Sequence, residues 1–181
     1  MMVTRIIDVW SRATCDLRQQ GRQWYPHANK LAADLTHGDV RRGAGVIAAL
    51  SPQCPWSRNV QLARAACAGQ KISSTRDRAS KAQRILAGED PHEVLPTGIK
   101  TWHFFRCIAD PADDRSVVVD RHAHDIAMGA RYGNASRGLE YQPRYDAFVA
   151  AYRCAAQRLG VRPSVLQATT WLVWTEHGSS Q

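Results

Sequence analysis

Apolar residues recur along this chain with a spacing close to 3.6, and that rhythm predicts a succession of short amphipathic helices. Residues 4 to 20 place Ile6, Ile7, Trp10, Ala13, Cys15 and Leu17 at helical spacing with Arg and Gln between them. A second helix is predicted from Pro26 to Leu35, ended by His37-Gly38-Asp39. The stretch GAGVIAALSPQCPW opens on Gly43 and Gly45, crosses a short apolar run and stops at Pro52 and Pro55. Its length alone would allow a strand, but its neighbours favour a helix followed by a turn.

Helices follow over Ser57–Cys67, with Ser57 as cap and Gly69 as stop, and over Thr75–Leu86, closed by Gly88. A loop with Gly133, Asn134 and Gly138 leads to a helix over Tyr145–Leu159 and, after a turn at 160–163, to one from Ser164 to about Trp174. Val117–Val119 is the one strand-like run, too short to organise a sheet. No internal repeat, low-complexity tract or long linker interrupts the pattern. The expected class is all-α.

With 181 residues the chain can bury a core as one folding unit, or as two small lobes sharing an interface. Charge sharpens the picture: 24 Lys plus Arg against 16 Asp plus Glu give a formal net charge of +8, which favours a polyanionic partner. Only Lys30, Lys71, Lys81 and Lys100 are lysines, and the arginine excess suits bidentate contacts to phosphates and base edges. Cys15, Cys54, Cys67, Cys107 and Cys154 are scattered and odd in number, so they read as buried thiols rather than as disulfides or a zinc site. The first twenty residues carry charge too early for a signal peptide, and no segment approaches a membrane span. The expectation is a cytoplasmic protein off the membrane; a monomer is expected too, although no residue pattern sets the oligomeric state.

Candidate chemistry is densest between residues 89 and 133. Leu95-Pro96-Thr97-Gly98-Ile99-Lys100-Thr101 puts a proline and a glycine able to take positive φ before a helix start, a hairpin that turns backbone N–H groups outward as an anion cradle. Val117-Val118-Val119-Asp120-Arg121-His122-Ala123-His124-Asp125 sets an apolar run before an acid, which predicts Asp120 as a half-buried helix N-cap. Cleavage of an N-glycosidic bond develops cationic character at the sugar, and a carboxylate at the anomeric carbon stabilises it or activates water. Asp120 suits that role; its other reading is a structural cap. A nearby lysine such as Lys100 would instead attack the anomeric carbon, giving an imine and strand nicking. His103, His122 and His124 lack the further ligands a metal needs, so no metal is expected. Asp125 reads as a surface or helix-pairing acid. Trp10, Trp171 and Trp174 read as packing residues, and Trp24-Tyr25 as helix packing or the lining of a base pocket. Arg41, Arg42 and Arg58 are candidate phosphate contacts.

LPTGIKTW followed by VVVDRHAHDIA resembles the LPGxGxKTA hairpin and VDxHxxR segment of the helix-hairpin-helix DNA glycosylases of the endonuclease III and MutY type. IAALSPQCPWSRNVQLA is similar to that family's LLSxQTxDxxVNxA, and SKAQRIL to its KAxxI helix. The likeness covers about residues 44–130. It implies two small lobes around a cleft, with the helices of 1–43 and 140–177 completing the second lobe of a single 1–181 domain. It implies that Asp120 is the catalytic carboxylate, Lys100 the Schiff-base nucleophile of bifunctional members and Gln53 the duplex probe. Trp56, Arg58, Thr97, Gly98, Arg121 and His122 accompany Gln53 as expected DNA contacts. The hairpin is one residue short and keeps one of two glycines, and the family's iron–sulfur cysteines are absent, so no cofactor is expected. The leading expectation is a DNA N-glycosylase acting on an extruded base in duplex DNA, with AP lyase activity if Lys100 attacks. Its alternatives are a base-modifying transferase or exchange enzyme of a viral hypermodification pathway, and a non-catalytic helix-hairpin-helix DNA-binding protein.

Overall fold

The computed structural model describes residues 1–133 and 137–176, and among them every regular element is a helix. The elements are α1 (Met2–Ser11), α2 (Cys15–Leu35), α3 (Val40–Leu50), α4 (Trp56–Cys67), α5 (Arg76–Leu86), α6 (Pro91–Val94), α7 (Lys100–Ala109), α8 (Arg121–Met128), α9 (Gln142–Leu159) and α10 (Pro163–Glu176). The all-α class follows the sequence pattern. The loop position Asn134 and residue 177 of the expected C-terminal lobe lie outside the described residues.

Boundaries moved where a side chain or a close approach overrode local propensity. The break expected between residues 20 and 26 lies instead at residues 12–14. Thr14 Oγ1 accepts the Leu17 N–H at 3.2 Å and so caps a new helix, and α2 then runs on through Gly21 and Pro26. Gly21 is no breaker: a Cβ there would collide with the Thr169 hydroxyl and lie 2.9 Å from Thr169 Cα, so α2 and α10 touch at that point. The GAGVIAAL run is helical from Val40, three residues before Gly43, because Asp39 caps it through the Arg42 N–H at 3.0 Å. The cap expected at Ser57 is absent: α4 starts at Trp56 on Pro55, with no side-chain cap. Val117–Val119 forms no strand. The cysteines are not uniformly buried thiols either, since Cys107 is buried, Cys15 exposed and the other three intermediate.

The chain divides into two compact units. The first comprises Met1–Pro26 and the residues from Ala112 onward; there α1 packs on α8, α9 and α10, and α10 on α8 and α9. Its core includes Ile6, Trp10, Ile126, Tyr145, Tyr152 and Leu166, with Trp174 partly buried against it. The second unit, His27–Pro111, is organised by α3, which packs against α4, α5, α6 and α7. All of α3 from Gly43 to Leu50 is buried. Two glycines allow it: a Cβ on Gly43 would lie 2.8 Å from Ala32 Cα, and one on Gly45 would lie 2.7 Å from Pro91 Cγ. Among the described residues, α1 thus belongs to the same unit as α8, α9 and α10, and the chain passes between the units at residues 26–27 and 111–112.

Candidate functional site

Asp120 stands at the end of an extended run whose side chains, Val117, Val118 and Val119, are all buried. The Tyr145 hydroxyl on α9 holds that run, accepting from the Val119 N–H at 3.0 Å and donating to the Val117 carbonyl at 3.1 Å. The next residue begins α8, and Asp120 caps it: one carboxylate oxygen accepts the Ala123 N–H at 2.8 Å. Asp120 is half-buried, as the sequence predicted. A carboxylate so placed has its backbone fixed on both sides, by packed valines behind and a helix ahead, and faces the positive end of the α8 dipole.

Its surroundings belong to the same unit. The buried Tyr152 hydroxyl donates to the Ala123 carbonyl at 3.2 Å. Burial raises the Tyr152 pKa above the ordinary tyrosine range and the Asp120 charge adds to this, so the phenol stays protonated. His122, on the first turn of α8, has its pKa lowered chiefly by burial and also by Arg121 and Arg131, against the opposing pull of Asp120. Arg121 Nε donates to His122 Nε2 at 3.2 Å, which requires a neutral ring there. The His122 ring meets Trp171 edge-on at 6.2 Å. Trp171 and Trp174 are partly buried, Trp174 packing against the core of this unit, and Arg131 lies 5.0 Å over the Trp174 ring.

Asp125 is neither a surface acid nor a helix-pairing one. It is 5% exposed and gathers Arg137 (Nε to Oδ1 at 3.0 Å, Nη2 to Oδ2 at 3.1 Å), His124 Nδ1 at 2.9 Å and the Tyr132 N–H at 3.3 Å. Burial works to raise its pKa, but the hydrogen bonds from Arg137, His124 and Tyr132 outweigh that and hold it below the usual carboxylate range. Local pattern could not name Arg137 as the partner, because it lies twelve residues away in a segment without periodicity. One signal was present: an acid inside an otherwise apolar helix face needs a partner.

Trp24 and Tyr25 also belong to the first unit, where the buried Tyr25 hydroxyl donates to Gln167 Oε1 at 2.9 Å; the remaining candidates lie in the second. Gly98, at φ +79°, makes the turn between α6 and α7, and Lys100 is the first residue of α7. The N-cap, Ile99, offers no side-chain hydrogen bond to the first turn, and Thr97 is exposed. The turn ahead of α7 is thus made with one glycine at positive φ. Gln53 is exposed in the Ser51–Pro55 loop at φ +51°, a conformation that costs a non-glycine residue on the order of 1 kcal/mol. Trp56 is 36% exposed and sits 6.4 Å from the Phe104 ring, edge to face. Phe104 is one turn after Lys100 on α7, so the Gln53–Trp56 loop and the hairpin, predicted separately, share one side of this unit. Arg58 is exposed on α4. Arg41 and Arg42 are already paired, to Asp90 at 2.6 Å and Asp39 at 3.3 Å, which weakens their claim as phosphate contacts.

Asp120 and Lys100 thus fall in different units. Among the described residues no group of three or more His, Cys, Asp or Glu side chains is arranged to hold a metal, and no described helix is long and apolar enough to cross a membrane. Fold and site together define an all-α protein of two compact units, one presenting a helix-capping carboxylate and the other a glycine turn ahead of α7 and an exposed, strained loop. The chain belongs to DUF7178, a family of unknown function whose model matches residues 1–178. Comparison with curated proteins and with solved structures found no match.

Proposed function

We propose that this protein is a DNA-acting, N-glycosylase-like enzyme in which Asp120 stabilises the cationic sugar, or activates water, as the bond to an extruded base breaks. The observation that carries the reading is the setting of Asp120: a half-buried carboxylate held by the buried valine run and the start of α8. Such fixation is what electrostatic stabilisation of a developing charge requires. Support for DNA as the partner comes from the net charge of +8 and from the second unit, where a hairpin with a helix start free of side-chain caps lies beside the exposed Gln53–Trp56 loop. Lys100, at that helix start, is the proposed nucleophile of an accompanying lyase step.

A non-catalytic DNA-binding protein is the second reading, and the Ala123 N–H bond favours it, because capping alone accounts for an acid at this position. Asp120→Asn separates the two. Duplexes each carrying one damaged or modified base are incubated with the protein, and released free base is quantified by mass spectrometry. Asparagine caps helices about as well as aspartate, so the fold survives, whereas loss of an electrostatic catalytic group lowers the rate on the order of a hundredfold or more. Unchanged release by Asp120→Asn refutes the catalytic role. Binding without release from any duplex, unaffected by the substitution, establishes the second reading.

A further inference from the structure

Ser51-Pro52-Gln53-Cys54 closes a β-turn, with the Cys54 N–H donating to the Ser51 carbonyl at 3.1 Å. Proline stands at its second position and a positive φ, +51°, at its third. That is the pattern of a type II turn, whose third residue is ordinarily glycine. Here it is glutamine, exposed, in a conformation glycine would adopt without strain. Type I and type II turns differ by a flip of the central peptide, and the orientation of the second residue's carbonyl decides between them. That carbonyl, Pro52 O, accepts a hydrogen bond from Arg78 Nη1 at 2.6 Å. Arg78 is itself braced, because its Nε donates to Thr75 Oγ1 at 3.0 Å at the start of α5. The loop's other flank is fixed by Asn59, whose amide donates to the Ile47 carbonyl at 3.0 Å.

We infer that Arg78 is a positioning residue: by holding the Pro52 carbonyl it locks the turn in its type II form and so aims the Gln53 side chain outward for contact with a DNA duplex. Without the guanidinium the peptide is free to flip, Gln53 relaxes to negative φ, and its Cβ points elsewhere. The lock is a property of the turn alone; the duplex as the object of Gln53 rests on the DNA reading above.

The test has one arm for each. In the first, NMR of the labelled protein follows Gln53, whose positive φ gives a strong intraresidue HN–Hα cross-peak. Arg78→Met is expected to weaken it to the intensity of negative-φ residues, with circular dichroism unchanged. Should Arg78→Met fail to fold, Arg78→Lys, which keeps the cation but replaces the guanidinium fork by a single nitrogen, is expected to weaken the cross-peak in part. A cross-peak of wild-type strength in the folded variant overturns the inference. The second arm measures binding of a fluorescein-labelled duplex containing one tetrahydrofuran abasic analogue. Gln53→Ala and Arg78→Met are each expected to weaken binding roughly five- to tenfold, and the double variant no further, since both act through one side chain. The salt dependence stays as in wild type; a slope reduced by about one marks Arg78 as a phosphate contact and overturns the positioning role. Multiplying effects in the double variant do the same. If the wild-type protein does not bind the duplex at all, the DNA reading fails while the NMR arm still decides the turn.

Discussion

Asp125→Asn is the substitution to which the first unit should respond most sharply. In the folded protein the Asp125 carboxylate, 5% exposed, is the counter-charge of Arg137, whose side chain is 12% exposed, and the acceptor for His124 Nδ1. The asparagine amide keeps the size but loses the charge, and one of its two ends is a donor that faces the donors of Arg137. A largely buried cation is left without its anion, which costs up to about 3–5 kcal/mol. That is a large part of the roughly 5–15 kcal/mol by which domains are stable. At about 2–4 °C per kcal/mol for a chain of this size, melting should fall by roughly 6–20 °C.

The pH dependence has a definite sign. Because the folded pKa of Asp125 is lowered, its contribution is fully present above the unfolded value, near 4, and is lost as pH falls below that through the folded value. Urea unfolding of wild type and variant at pH 7 and at stepwise lower pH measures both quantities. The gap between the two should narrow below about pH 4. A gap under about 1 kcal/mol at pH 7, or one independent of pH down to acid unfolding, refutes the reasoning. Asp125→Leu combined with Arg137→Met, which removes both charges, should be less destabilising than Asp125→Asn alone.

Three further outcomes follow from the geometry. Gly43→Ala gains about 1 kcal/mol of helix propensity but places a Cβ 2.8 Å from Ala32 Cα, which should cost more than it gains and leave a net loss of about 1–3 kcal/mol in urea unfolding. A net stabilisation would mean that α2 and α3 can move apart freely. Duplex affinity should fall linearly in log–log form as salt rises, by about 0.9 per phosphate contacted, in a fluorescence anisotropy titration, and a flat response would assign the basic charge to another purpose. Lys100→Ala should abolish a borohydride-trapped imine with abasic DNA if Lys100 is the nucleophile, while base release continues in a monofunctional enzyme.

The sequence by itself determined the helical class, because the 3.6-residue rhythm is a local property that burying one face per helix imposes. It also determined the cap at Asp120 and the glycine turn before Lys100, both of which depend on a few consecutive residues. The tertiary structure decided everything carried by distant contacts. The sequence pattern breaks the helix near residue 20, and only the contact of Gly21 with Thr169, about 150 positions away, shows why a glycine stands inside a continuous α2. Asp125 read as a surface or helix-pairing acid, but Arg137 pairs with it; Gln53 stood out in its loop, but only the fold shows Arg78 holding the carbonyl before it. Periodicity registers which side of an element is buried, whereas the partner of a buried charge or of a strained turn is chosen by the fold, across sequence distances that no local pattern spans.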